Sequence, residues 1–179
     1  MDHNPYAAPT SAIEATPVVQ PLEGPVGLGG WLVLVAIGLF VTPVRLAIFL
    51  SQTFLLIFRD GMWERLTTPG PAPYHPLWGP LLIGEIVINS VFILLAIYLL
   101  YLYFRKSWRF PRLYITLLIS SLVFIVADSF AVGIVAPSQG VMDPATIAEI
   151  GKSLVVAAIW VPYMIFSKRV RNTFVRMDV

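Results

Sequence analysis

The chain has 179 residues, of which 58% are hydrophobic and 12% charged, and its formal net charge at pH 7 is +2. Soluble domains are about half apolar and about one quarter charged, so this composition excludes an ordinary soluble protein and indicates a membrane protein. The small net charge, with basic residues in short clusters beside apolar segments, excludes nucleic acid as an expected partner.

The first predicted element is an amino-terminal tail. Residues 1–28 contain five prolines and no Lys or Arg, unlike a signal peptide, which starts with a basic segment. Its apolar residues do not recur at a regular spacing, so the stretch cannot bury enough apolar surface to offset the conformational entropy that it would lose on folding. We expect residues 1–28 to form a disordered, Pro-rich tail on the cytoplasmic side.

Four apolar segments follow, each long enough to cross a bilayer, whose hydrocarbon core of about 30 Å requires about 20 helical residues. The spanning helices are predicted at about residues 29–58, 77–104, 113–136 and 144–167. The first is longer than a straight span requires, so we expect tilt, a kink near Pro43 or a protruding end. Asp143 followed by Pro144 predicts the cap and the first residue of the last helix.

The distribution of basic residues predicts the orientation. Four of the twelve Lys and Arg residues lie between the second and third segments, and four more follow the fourth. Positively charged loops stay on the cytoplasmic side. The sequence therefore predicts an all-α membrane protein, a bundle of four transmembrane helices over residues 29–168 with both termini in the cytoplasm. A basic cytoplasmic tail is predicted at residues 169–179.

Charged residues interrupt the apolar helices at similar depths. At a helical rise of about 1.5 Å per residue, the main ones lie about 22 to 28 Å from the cytoplasmic helix ends. These residues form a predicted intramembrane charge cluster of Arg45, Glu85, Asp128 and Lys152, with Asn89, Gln52 and Glu149 as further candidates. Helical spacing puts the polar residues of each helix on one face, so we expect the four faces to meet around a shared axis.

Two interpretations of the charge cluster remain open. An unpaired charge at mid-membrane costs about 3 kcal/mol on insertion scales, so two cations and two anions at similar depth are expected to pair inside the bundle. In the structural interpretation, direct salt bridges set the helix register. In the functional interpretation, the cluster is a proton or ion relay or lines an outward-facing polar cavity, and a cavity of at least water size among these side chains would favour it.

Several chemistries lack the residues they require. The chain has no cysteine, and its two histidines, His3 and His75, lie outside the predicted helices, which excludes thiol chemistry and a His-ligated haem or metal site inside the bundle. No glycine-rich nucleotide-binding loop is present. We expect no catalytic, cofactor-binding or metal-binding residues and no enzymatic activity.

Two stretches carry a resemblance to a known family. They are Gly27–Arg45, reading GLGGWLVLVAIGLFVTPVR, and Ile159–Arg176, reading IWVPYMIFSKRVRNTFVR. They resemble the bacterial domain-of-unknown-function family 2569, whose members look like small four-helix inner-membrane proteins. The resemblance covers about residues 27–176 and implies a multi-pass protein of the bacterial cytoplasmic (inner) membrane. It supplies no catalytic residues.

Together these observations predict a non-enzymatic scaffold or accessory subunit with a buried intramembrane charge network. Its expected partners are the lipid bilayer, other membrane proteins or a second copy in a homodimer. The alternative is a small ion-coupled transporter or carrier that uses the same charged residues, and a carrier of four helices is expected to dimerise because one bundle has little room for a pathway.

Overall fold

The structure is a computed structural model that describes residues 24–70, 74–137 and 143–175. Over these ranges it consists of helices without a strand. The helices are α1 (Trp31–Arg59), α2 (Met62–Thr67), α3 (Trp78–Phe104), α4 (Phe110–Val135), α5 (Pro144–Phe166) and α6 (Lys168–Thr173). By length and apolar composition, α1, α3, α4 and α5 can each cross a membrane. The all-helical fold with four candidate spans is therefore confirmed.

The largest difference from the predicted spans is at the start of α4, which begins at residue 110 instead of 113. Pro111 lies in its first turn, where the missing backbone N–H of proline is not needed. At the start of α5, the backbone N–H of Thr146 donates a hydrogen bond of 2.7 Å to the Asp143 carboxylate, as the predicted cap requires.

Helix α1 continues through Pro43 rather than ending there. Proline has no N–H to donate to the carbonyl four residues earlier, which weakens the helix locally. The preceding Thr42 hydroxyl donates a 2.8 Å hydrogen bond to the Gly38 carbonyl. At about 1.5 Å per residue, a helix of this length exceeds the hydrocarbon thickness, so α1 must tilt or protrude.

The spanning helices are arranged in a row. α1 packs against α3, α3 against α4, and α4 against α5. α1 and α5, the two edges of the row, are not packed against each other along their length in the part of the chain that the structure describes.

The short α2 packs beside α1 and α3, where Leu66 joins Phe54, Ile57 and Leu82 in a small apolar cluster. We call the end of the row that carries α6 and the α3–α4 loop the basic end, and the end that carries α2 the distal end.

The main hydrophobic core lies at the basic end. All four spanning helices and α6 contribute to it, with Leu32, Leu99, Phe110, Met164 and Phe174 among its buried residues. The rings of Phe110 and Phe174 stack with centroids 4.7 Å apart. The buried Tyr103 hydroxyl donates a 2.9 Å hydrogen bond to the Leu32 carbonyl. These contacts, which we call the basic-end core, close the row at this end.

The segment before α1 is held against α6. The Gly27 N–H donates to the Thr173 hydroxyl at 2.9 Å, and that hydroxyl lies 3.3 Å from the Gly27 carbonyl, to which it donates in turn. Gly29 leaves room for the Arg169 side chain, because a Cβ at position 29 would lie 3.2 Å from the guanidinium. The two stretches that carry the family resemblance therefore meet in space.

Parts of both predicted tails pack against the helix bundle. Within the predicted basic tail at residues 169–179, Val170 and Phe174 are one helical turn apart and buried, so α6 and Phe174 belong to the bundle. At the other terminus, residues 24–28 include Gly27, which is bonded to Thr173. The remaining parts of the predicted tails, residues 1–23 and 176–179, lie outside the described residues.

Candidate functional site

A cavity of about 620 Å³ lies among α1, α3, α4 and α5. Leu39, Tyr114 and Leu117 belong both to its lining and to the basic-end core, so the core forms its floor. Because α1 and α5 are the unpacked edges of the row, the cavity has the shape of a cleft between them. Its volume falls within the range of about 300–1,000 Å³ that is typical of small-molecule sites.

Polar residues from all four spanning helices, and the residue that caps α5, face this cavity. They are Thr42, Arg45, Glu85, Asn89, Ser121, Asp128, Ser129, Asp143, Thr146 and Glu149. An apolar helix row that concentrates its polar groups on one concave surface hides them from lipid. The lining thus has the character of a site rather than of scattered surface polarity.

The structure brings most of the predicted charge cluster to this cavity. Arg45, Glu85 and Asp128 are in its lining, together with the further candidates Asn89 and Glu149. Gln52 and Lys152 are exposed and lie outside the lining. Each of those two follows a lining residue, Phe49 or Glu149, by three positions, which turns its side chain about 60° away around the helix.

The predicted ion pairs do not form among the residues that the structure describes. No charged residue in these ranges is buried, and no salt bridge joins the members of the cluster. Arg45 and Glu149 are exposed, and Glu85 and Asp128 are half-buried. Arg45 and Asp128 lie on α1 and α4, which are not packed against each other, so the cavity lies between these two side chains. Lys152 is turned away from the lining, which leaves Asp128 without that partner as well.

The uncharged polar residues described next do not form hydrogen bonds from one helix to another. The side-chain amide of Asn89 donates to the Glu85 carbonyl at 2.9 Å, and the Ser129 hydroxyl donates to the Val126 carbonyl at 2.8 Å. The Ser121 hydroxyl bonds the Leu118 carbonyl at 3.0 Å in the same way. Each donor bonds a carbonyl of its own helix, so these groups do not fix the register of one helix against another.

Acidic side chains outnumber basic side chains in the cavity. Its lining contains the carboxylates of Glu85, Asp128, Asp143 and Glu149 but a single cation, Arg45. Asp128 lies within electrostatic range of both Glu85 and Glu149. The hydrogen bond from the backbone N–H of Thr146 lowers the pKa of Asp143 below its ordinary value, which keeps this carboxylate ionised at neutral pH. The cavity is therefore suited to a positive rather than a negative ligand.

Aromatic rings form much of the apolar wall. Phe49, Phe92, Phe124 and Trp160 are part of the lining. Phe92 of α3 and Phe124 of α4 meet edge to face with centroids 5.8 Å apart. Trp160 contacts Trp31 near the basic end, with centroids 6.2 Å apart. Aromatic faces of this kind attract both apolar groups and cations.

Sequence reasoning missed part of this site. Asp143 is predicted from the sequence as a helix-capping residue alone, and Thr146, Ser129 and the aromatic wall are not selected. The spacing from Thr146 to Glu149 is three residues, so a shared helix face could have been predicted. In the described ranges, no group of three or more His, Cys, Asp or Glu side chains is placed to hold a metal ion.

The chain matches a known protein family over most of its length. The family described as "Protein of unknown function (DUF2569)" matches residues 25–175. This range contains almost all of the two stretches on which the resemblance was noted, and the resemblance is confirmed. Neither a curated protein nor a solved structure matches the chain.

Proposed function

Since the chain belongs to the DUF2569 family, whose description assigns no activity, we propose a function from its own geometry, that of a small membrane carrier acting without catalysis. The carboxylate-rich cavity among four apolar helices is the observation that carries this proposal. Ionisable residues within a membrane are costly and mark substrate or ion pathways. The absence of salt bridges among the described cavity residues argues against a role limited to packing.

The proposed orientation places the basic end in the cytoplasm of a bacterial cell, because Lys and Arg are retained on that side of the inner membrane. The basic-end core then closes the cavity toward the cytoplasm, and the cavity faces outward. A carrier cycle requires the opposite state as well, in which the core opens and the distal end closes. A carrier of four helices is also expected to dimerise, because one bundle has little room for a pathway.

The exposed apolar faces of the helices, which a scaffold would use, are also the faces that lipid covers. Phe130 of α4, which is 54% exposed, is an example. A bilayer is as apolar as these side chains, so their exposure does not distinguish a protein partner from lipid. The polar cavity supports the carrier proposal, because a scaffold does not require such a cavity.

The carrier proposal predicts that the cavity is reached by water from both sides of the membrane. The chain has no cysteine, so a single Ser121→Cys substitution introduces the only thiol. We expect this thiol to react with a membrane-impermeant maleimide in right-side-out vesicles and, through the opposite state, in inverted vesicles. The reaction requires a hydrated thiolate, which lipid does not provide.

Ser120→Cys is the matched control for this experiment. Ser120 is adjacent on α4, bonds a carbonyl of its own helix as Ser121 does, and lies outside the cavity lining. We expect its thiol to stay unreactive in both vesicle orientations. Reaction of Ser121→Cys from one side alone, or equal reaction of the two variants, would contradict the carrier.

A second prediction concerns the cavity charges. Replacing Arg45 by Met and Asp128 by Asn together should leave the free energy of unfolding within about 0.5–1 kcal/mol of the parent value, because neither side chain forms a salt bridge. Breaking a buried ion pair would instead cost about 3–5 kcal/mol. The measurement is unfolding in mixed micelles with each single variant alongside, and a large loss in either single variant would restore the structural interpretation.

A further inference from the structure

We propose that the ligand of the cavity is an amphipathic organic cation, a positively charged group on an apolar body. This inference rests on the proposed carrier function and adds the chemical class of its ligand. Two features of the lining carry it, namely the excess of carboxylates and the aromatic and aliphatic wall around them. The open edge between α1 and α5 gives a route by which such a ligand can enter.

The charge of the ligand follows from the carboxylates. Four of them face the cavity with one arginine, and the repulsion between Asp128 and its neighbours Glu85 and Glu149 is relieved when a cation lies among them. An anion would be attracted by Arg45 but repelled by four carboxylates, so its net electrostatic interaction with the lining would be unfavourable. The repulsion between these carboxylates destabilises the protein without a ligand. A cation that relieves this repulsion therefore gains binding free energy.

The apolar body of the ligand follows from the remaining wall. Phe49, Phe92, Phe124 and Trp160 supply aromatic surface, and aliphatic side chains such as Leu118 and Val132 are also part of the lining. A bare metal cation needs a compact shell of several oxygen ligands, and a cavity of about 620 Å³ with an apolar wall does not provide one. An organic cation can place its charge near the carboxylates and its apolar part against the rings.

The position of the cavity suits a ligand that partitions into the bilayer. Val41 of α1 and Val156 of α5 are both in the lining and remain 48% and 39% exposed. They flank the edge at which α1 and α5 are not packed together. An amphipathic cation dissolved in the outer leaflet can therefore reach the carboxylates sideways, without first passing through water.

Two ions of nearly equal shape and opposite charge test this ligand class. We expect the full-length protein in lipid nanodiscs to bind tetraphenylphosphonium and to bind tetraphenylborate at least about tenfold more weakly. Tetramethylammonium, which carries the charge without the aromatic body, should also bind at least about tenfold more weakly. Binding is measured by equilibrium dialysis, with protein-free nanodiscs as the blank for partition into lipid.

Variants assign the binding to the cavity. Glu85→Gln and Asp128→Asn should each weaken tetraphenylphosphonium binding about tenfold, since each removes one anion from the lining. Glu64→Gln, which changes an exposed carboxylate of α2 outside the cavity, should leave the affinity unchanged. Circular dichroism and the elution volume of each variant establish that it is folded.

Each result either supports or overturns the proposal. Equal binding of the phosphonium and the borate, tighter binding of the borate, or an affinity for tetramethylammonium equal to that for the phosphonium would overturn the ligand class. No phosphonium binding would also overturn it, and two-sided labelling of Ser121→Cys would then leave the carrier function in place. Phosphonium binding with one-sided labelling would instead establish a binding site for cations and reject the carrier.

Discussion

Replacing Phe110 with alanine is expected to lower the free energy of unfolding by about 3–5 kcal/mol, the largest loss from a single truncation in this protein. Phe110 is 0% exposed and makes ring contacts with Tyr103, Tyr114 and Phe174. Truncation removes these contacts and leaves a space that three separate helical elements would have to move to fill. Unfolding in mixed micelles with increasing denaturing detergent measures the loss.

Phe130→Ala is the control for this prediction. Phe130 lies on the same helix but is 54% exposed, so lipid or detergent replaces its contacts after truncation. We expect a loss of less than about 1 kcal/mol. If the two variants were equally destabilised, the basic-end core would not be the part of the bundle on which stability depends.

The second large effect is expected for Thr173→Val, with a loss of about 1–3 kcal/mol. Valine has nearly the shape of threonine but no hydroxyl, so the half-buried Gly27 loses the partner of its N–H and of its carbonyl. The segment before α1 is then held less firmly against α6. Unfolding in mixed micelles gives the stability, and hydrogen exchange at the Gly27 amide, which should become faster, locates the change.

Thr116→Val provides a matched comparison. The Thr116 hydroxyl is exposed and donates to the Arg112 carbonyl of its own helix at 3.1 Å. Its removal leaves no contact between segments broken, so stability should change by less than about 0.5 kcal/mol. Unchanged exchange at Gly27 in Thr173→Val would contradict the role given to this hydroxyl.

The spanning helices could be predicted because each is a long apolar segment bounded by prolines or charges. Their packing could not be predicted to the same degree. Helical rise gives the height of Arg45 and Asp128 in the membrane, but it contains no information on the lateral distance between α1 and α4. Equal height predicts contact between the two side chains, whereas the structure has a cleft between them.

Lys152 shows a second limit of the sequence argument. Its spacing of three residues from Glu149 predicts that the two side chains are neighbours on one helix face. The neighbours are nevertheless rotated by about 60°, which is enough to separate a cavity-lining residue from an exposed one. Val170 and Phe174 show a third limit. The prediction of a basic tail at residues 169–179 rests on the basic residues of that stretch and does not consider this buried apolar pair one turn apart.

The division of the bundle into a polar cleft and a tightly packed basic-end core bears on how it would respond to voltage. In the proposed orientation, water in the cleft would conduct, so the membrane potential would fall mainly across the thin layer of Leu32, Leu99, Phe110 and their neighbours. A cation that starts at the cavity floor would then cross most of the membrane potential over a distance of only a few helical turns. Each 100 mV acts on a unit charge with about 2.3 kcal/mol, so an inside-negative cell would drive its inward step.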